Sequence, residues 1–380
     1  MVSQRAADVT PFLAMDVLER ANELDDVIHL EVGEPDFSPP ARVIETAVDS
    51  LQAGNTNYTA ARGKAELRRA IAAHYDREYG VTVDPGRVVV TPGTSPGLFL
   101  AMAALVDPGD EVVLTDPHYA CYPNFVRVVD GEVRTVTLRA SEGFRPRVDD
   151  FAAAVGPDTS ALLCNSPANP TGAVMDGETL AGLAEVAADA DATPVVDEVY
   201  HGLSYDAAEH TMLEYTDDAF VLNGFSKRFA MTGWRLGWVI VPPDYVDAVN
   251  RLAQNVLICA PNFVQDAGVA ALETPADRLD EIRETYRERR DLLVDAVEDW
   301  GLDLGYTPQG AYYLLADVSD LPGDALDVAD LFLEAGVAVT PGVDFGDAAA
   351  DYLRFSYATE AAAIETAIER IDALLATVER

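Results

Sequence analysis

Lysine is almost absent from this chain of 380 residues, which carries only Lys64 and Lys227. Cysteine is nearly as scarce. Cys121, Cys164 and Cys259 lie far apart with no CxxC pair, which excludes a disulfide framework and a thiolate zinc site and leaves small core residues as their expected role. His29, His74, His118, His201 and His210 show no HExxH or related ligand spacing, so no metal is expected. Most of these histidines are expected to be structural or exposed. No apolar run approaches the roughly 18 residues that cross a bilayer, and the N-terminus lacks a basic-then-apolar signal pattern. A soluble, cytoplasmic chain is expected.

Positive charge as a whole is scarce. There are 26 Lys and Arg against 65 Asp and Glu, a net charge of −39, in a chain that is still 49% hydrophobic. That apolar content excludes disorder as the reason for the charge. Nucleic acid and anionic membranes are excluded as partners, because both need concentrated Lys and Arg to displace counterions. Self-repulsion of this size is screened at molar salt, where the Debye length falls to about 3 Å, so adaptation to high salt is expected.

One of the two lysines sits in Gly224-Phe225-Ser226-Lys227-Arg228-Phe229-Ala230-Met231-Thr232-Gly233-Trp234-Arg235-Leu236-Gly237, between two apolar runs. A lysine amine forms a Schiff base with a carbonyl compound, pyridoxal phosphate above all; the competing role is a solvated surface cation. The scarcity of lysine elsewhere and the apolar company favour the first. Arg235, eight residues on, can make a two-pronged salt bridge to a phosphate.

From Arg87 to Ile240 short β-branched runs alternate with helical segments: Val88 to Val90, Glu111 to Leu114, Val133 to Leu138, Ala161 to Cys164, Val195-Val196, Phe220 to Leu222 and Trp238 to Ile240. Runs this apolar predict strands covered on both faces, hence a mainly parallel α/β sheet whose ligands collect at the strands' carboxyl ends. Chemistry-bearing residues recur there. Thr91-Pro92-Gly93-Thr94-Ser95 opens a helix and reads as a phosphate cradle or as a plain N-cap. Asn165-Ser166-Pro167-Ala168-Asn169-Pro170-Thr171-Gly172 reads as a connecting loop or as a turn that aims an Asn amide. Asp197 ends a buried strand, where a carboxylate needs a partner; a protonated pyridine nitrogen would serve, as would an ordinary ion pair or an N-cap role.

Outside that region, helices are predicted over Phe12 to Leu24, Arg42 to Leu51, Lys64 to Tyr79, Ala276 to Trp300, Ala325 to Ala335 and Glu360 to Thr377. Strands are predicted over Val27 to Leu30, Gln309 to Leu315, Val337 to Val339 and Tyr352 to Tyr357, the last with Arg354 on the face opposite Leu353 and Phe355. Gly33 to Pro40 is loop. Tyr58, as a loop aromatic, is expected to be partly packed. At this length two domains are expected.

The whole chain, from Gly33-Glu34-Pro35-Asp36-Phe37 to Arg354, resembles the pyridoxal-phosphate-dependent aminotransferases of the aspartate aminotransferase family (class I/II, fold type I). Gly224 to Gly237 fits that family's lysine signature, Asn165 to Gly172 its Asn turn, and Tyr58 with Gly63, Leu67 and Arg68 adds support. The resemblance implies a mainly parallel seven-stranded sheet in a large domain, 41–275, and a smaller α+β domain built from 1–40 and 276–380. It implies that Lys227 holds pyridoxal 5′-phosphate covalently and later shuttles a proton. Asp197 would hold the pyridinium nitrogen, Asn169 and Tyr200 the phenolic oxygen, and Tyr119 would stack on the ring. Gly93, Thr94, Ser95, Ser226 and Arg235 would bind phosphate, with Tyr58 reaching in from a partner subunit of a homodimer. Arg354, helped by the Gly33 backbone amide, would clamp the substrate's α-carboxylate. The implied reaction moves an amino group from an amino acid to a 2-oxo acid, 2-oxoglutarate by family habit; a C–S or related lyase is the alternative and a non-enzymatic, pyridoxal-phosphate-sensing regulator a remote one. Gly224 stands where many relatives carry a phosphate-binding Ser, and Ser95 where one subgroup uses Lys to read a distal carboxylate, which argues against a preference for aspartate. Side-chain selectivity is expected from the segment near Phe12 and the loop near Phe345.

Overall fold

The computed structural model describes residues 2–378. Its strands are, in chain order, β1 (Ile28–His29), β2 (Val88–Thr91), β3 (Glu111–Asp116), β4 (Glu132–Thr137), β5 (Thr159–Asn165), β6 (Thr193–Asp197), β7 (Phe220–Gly224), β8 (Gly237–Ile240), β9 (Tyr313–Asp317), β10 (Val337–Ala338), β11 (Thr340–Pro341) and β12 (Tyr352–Ser356). Seven of them form one sheet in the order β2-β8-β7-β6-β5-β3-β4. The ladders from β7 through β4 are parallel, and β8 runs antiparallel to both β7 and β2. Every β-branched run named above becomes a strand of this sheet.

The period of two along each strand explains why the runs are continuously apolar. Val113, Leu162, Val196 and Val221 enter one buried cluster, while their neighbours Val112, Leu163, Val195 and Leu222 enter another on the opposite face. Both faces are covered by helices, so neither alternate set can be polar. The parallel strands β3, β5, β6 and β7 end at Asp116, Asn165, Asp197 and Gly224. Their carboxyl ends share one edge of the sheet.

A separate buried cluster joins Leu30 to Ile282, Tyr286 and Leu293 of the helix Ala276–Asp299 and to Leu314, Leu353 and Phe355 of an antiparallel sheet ordered β11-β12-β9. Strand β1 pairs in parallel with β10, placing Ile28 opposite Val337. A bidentate pair fixes the same arrangement: Arg289 reaches Asp36 through two contacts of 2.8 Å. The segment from Ile28 to Asp36 therefore packs with the chain's last third, while Arg5 and Thr10 pair with Asp130 and Asn124.

Some sequence expectations are corrected. The strand predicted over Gln309 to Leu315 begins at Tyr313, because Ala311 takes a left-handed φ of 57° that breaks the ladder. Cys164 is buried, but Cys121 and Cys259 are partly exposed rather than in the core. Tyr58 is 82% exposed, not partly packed. No helix among the described residues is long and apolar enough to cross a membrane.

Candidate active site

At the carboxyl edge of the large sheet lies a cavity of about 300 Å³, lined from both halves of the fold. Of the residues singled out above, Gly33, Thr94, Ser95, Tyr119, Asn169, Asp197, Tyr200, Ser226, Lys227, Arg235 and Arg354 line it. Gly93 and Tyr58 do not.

Lys227 lies in the turn between β7 and β8, half-buried, with its Nζ donating to the Gly33 carbonyl at 2.8 Å. The amine also stands 5.5 Å from the centre of the Tyr200 ring and 5.6 Å from that of Tyr312. It is thus held toward the cavity by a carbonyl and two π-faces, none of which is a carboxylate. Lys64 is occupied elsewhere: its Nζ donates to Asp266 at 2.6 Å and to Asn262 at 2.9 Å.

Asp197 ends β6 and is 8% exposed. The Tyr122 hydroxyl donates to its Oδ2 at 2.9 Å and the Val199 amide to its Oδ1 at 3.1 Å. Burial pushes the carboxyl up to about 6, while these two donors and the nearby Lys227 charge pull the other way. Its two direct hydrogen-bond donors are both neutral. The Asn165 side chain donates to the Asp197 carbonyl at 2.7 Å and accepts from the Asn169 amide at 2.8 Å, tying the ends of β5 and β6 to the turn that follows β5.

The helix Thr94–Leu105 opens at Gly93 with no side-chain cap bond, so the plain N-cap role for Thr94 and Ser95 is overturned. Its first amides are left with an exposed positive end. Gly93 has φ 95°, and a Cβ there would lie 2.4 Å from an Arg235 guanidinium nitrogen. The missing side chain is what lets that arginine lie across the helix start. Gly224 is less constrained: a Cβ there would come within 3.2 Å of Gly237 Cα and the Leu236 carbonyl, a tight contact that a shift of a few tenths of an ångström relieves.

Arg354, on the middle strand β12, is 2% exposed. One guanidinium nitrogen donates to Asn169 Oδ1 at 3.0 Å; the other donates to the Glu31 carbonyl and to Thr340 Oγ1. The guanidinium lies between Tyr313 and Phe345, 4.4 and 4.6 Å from their ring centres. Gly33 completes this corner, since a Cβ there would fall 1.5 Å from the Tyr313 hydroxyl oxygen. Tyr122 and Tyr313 carried no sequence signal, and Asn165 none beyond its place at the start of the Asn165 to Gly172 turn. Each reads locally as ordinary helix, loop or strand.

Fold and cavity together define a class of enzyme: an α/β sheet that presents a lysine amine and a buried acid at the carboxyl ends of its parallel strands, facing a buried arginine from the smaller antiparallel sheet. The chain belongs to the class I and II aminotransferase family, whose model matches residues 25–371. It is 35% identical over 374 residues to a probable aspartate aminotransferase of Methanocaldococcus jannaschii, covering 97% of this chain and 98% of the relative. It is 38% identical over 378 residues to a valine–pyruvate aminotransferase of Mycobacterium tuberculosis, covering 97% of each. A solved structure of the Thermus thermophilus aspartate aminotransferase with maleate superposes with a TM-score of 0.95 at 37% identity, covering 98% of this chain and 99% of that one. The fold is that of the pyridoxal-phosphate-dependent transferases of fold type I, and the chain is an aminotransferase. A lyase reaction is not favoured.

Proposed function

We propose that the cavity binds pyridoxal 5′-phosphate and that the enzyme moves the amino group of an amino acid to a 2-oxo acid, 2-oxoglutarate, in two half-reactions. The observation that carries this is the meeting, in one cavity, of the Lys227 amine, the buried Asp197 carboxylate without a direct cationic partner, and the uncapped helix start at Thr94 and Ser95 crossed by Arg235. These fit, in turn, an aldehyde, a cationic ring nitrogen and a phosphate. When bound, the cofactor supplies an aldehyde and an electron-withdrawing ring that acidifies the substrate's α-carbon.

Lys227 would hold the aldehyde group, and its Nζ, when neutral, would take the proton from the substrate's α-carbon. Asp197 keeps the ring nitrogen protonated. Asn169 spends Oδ1 on Arg354, which leaves its amide N–H groups to join the Tyr200 hydroxyl on the phenolic oxygen. Tyr119 stacks on the ring. The Thr94 and Ser95 amides and hydroxyls, with Ser226 and Arg235, bind phosphate at the uncapped helix start. Arg354 pairs with the α-carboxylate of every substrate, and because the Gly33 carbonyl already accepts from Lys227 and Tyr312, Gly33 contributes its amide.

The single chain supports a homodimer. Tyr58 is exposed, and Ile44, Val48 and Leu51 project from one face of the helix Ala41–Gln52; a second copy would cover these apolar side chains, and Tyr58 would be free to reach that copy's phosphate site. We assign residues 41–275 to the large domain and 1–40 with 276–380 to the small one, in keeping with the β1–β10 pairing. The charge of −39 fits a cytoplasmic enzyme that folds in concentrated salt. A panel of amino donors with 2-oxoglutarate in molar KCl tests the reaction. Stoichiometric 2-oxo acid and glutamate are expected; pyruvate or thiol released without an acceptor would contradict it.

A further inference from the structure

The helix Leu13–Asn22 begins after Phe12, a residue that makes no side-chain cap bond. Its cap comes from the other end of the chain. Asp344 Oδ1 accepts from the Leu13 amide at 3.0 Å and Oδ2 from the Ala14 amide at 3.2 Å. Besides this cap, Val17 and Ala21 pack with Leu333 and Ala338 in a small cluster of their own, and Arg20 pairs with Asp330 at 2.8 Å. Phe12 meets Tyr119 edge to face at 5.8 Å, and Phe12, Ala14 and Met15 all line the cavity.

The segment Gly342–Phe345 that carries Asp344 also touches the two ends of the proposed substrate site. Phe345 lies under the Arg354 guanidinium, and its carbonyl accepts from the His118 amide at 2.9 Å, next to Tyr119. With the α-carboxylate on Arg354 and the α-amino group at Lys227, a substrate side chain faces what is left of the lining. That remainder includes the apolar Phe12, Ala14, Met15 and Val32 and two anions, Glu31 and Glu34. The cations that line the cavity are Lys227, Arg235 and Arg354, each already given a role.

We propose that Asp344 is a positioning residue that seats the first turn of the helix Leu13–Asn22, so that Phe12 and Met15 form an apolar wall for amino donors with bulky uncharged side chains. This rests on the aminotransferase reading with Arg354 as the carboxylate clamp. Burial pushes the Asp344 carboxyl up while the Leu13 and Ala14 amides pull it down, as two amides aimed at a half-buried carboxylate require.

The test compares the holoenzyme with Asp344→Ala and Asp344→Asn in molar KCl, using phenylalanine, leucine, aspartate and alanine as donors. Amide hydrogen exchange over residues 13–22 is followed in parallel. The wild type is expected to favour phenylalanine or leucine over aspartate. In Asp344→Ala the ratio of kcat/KM for phenylalanine to that for alanine is expected to fall on the order of tenfold, with exchange over 13–22 faster by a similar factor, the size of a lost helix cap. Asp344→Asn, which keeps one acceptor oxygen, should fall between and serves if the alanine variant does not fold. Preference for aspartate in the wild type, equal losses for all donors, or unchanged exchange overturns the proposal. A wild type that transaminates no donor defeats the underlying reading instead, and exchange over 13–22 still judges the seat of Asp344.

Discussion

The Tyr122 hydroxyl donates to Asp197 Oδ2 at 2.9 Å, both side chains being buried in the wall of the cavity. With the Val199 amide on Oδ1, this gives the carboxylate a defined orientation without neutralising it. A buried carboxylate served only by neutral donors keeps much of its desolvation cost. That cost makes it a strong partner for a cationic ring nitrogen.

The pH consequence has a definite sign. Asp197 is pushed up from 3.8 to about 6 in the folded chain, so the fold holds its proton more tightly than the unfolded chain does. Stability conferred by the protonated form is complete below about pH 4 and lost as pH rises through about 6, a difference on the order of 3 kcal/mol. Asp197→Asn removes an ionising group and keeps an acceptor for the Val199 amide. Thermal melts of the cofactor-free protein at pH 8 should show the variant at least as stable as wild type, while equilibrium dialysis should show it gripping the cofactor less tightly. A less stable variant with unchanged cofactor affinity would contradict the role given to Asp197.

Arg354→Ala removes the contact that all substrates would share. Loss of a buried, hydrogen-bonded charge partner costs about 2–5 kcal/mol, so kcat/KM should fall on the order of a hundredfold or more for every donor and acceptor alike. Steady-state kinetics across the donor panel decides this. A loss confined to one side-chain type would mean that another group clamps the carboxylate.

Much of the fold was legible because the large sheet is buried on both faces: Val88 to Val90 and Val195-Val196 have nowhere to place a polar side chain. Lys227 was legible through rarity, and Asp197 through its place at the end of an apolar run. The rest of the cavity is made by convergence. Tyr122 and Tyr313 lie far from Lys227 in sequence, and local pattern says nothing of where a helix start and a strand start meet. Asp344 was equally silent, since it caps a helix more than three hundred residues away. The start of β9 was misplaced for a related reason: Gln309 to Leu315 is apolar enough for a strand, but the left-handed turn at Ala311 is set by tertiary packing.

The charge of −39 gives an expectation for salt. At 0.1 M the Debye length is about 10 Å and like charges repel across the surface; at molar salt it is about 3 Å. Far-ultraviolet circular dichroism should show the melting temperature rising steeply between 0.1 M and 3 M KCl. A melting temperature indifferent to salt would contradict the adaptation.

The most direct measurement is borohydride reduction of the holoenzyme followed by peptide mass mapping. Lys227 Nζ faces the cavity, while Lys64 is tied to Asp266 and Asn262. The expected result is a single phosphopyridoxyl group on the peptide that contains Lys227, absent from Lys227→Ala. Label on the Lys64 peptide, or on no peptide, would contradict the assignment of the site.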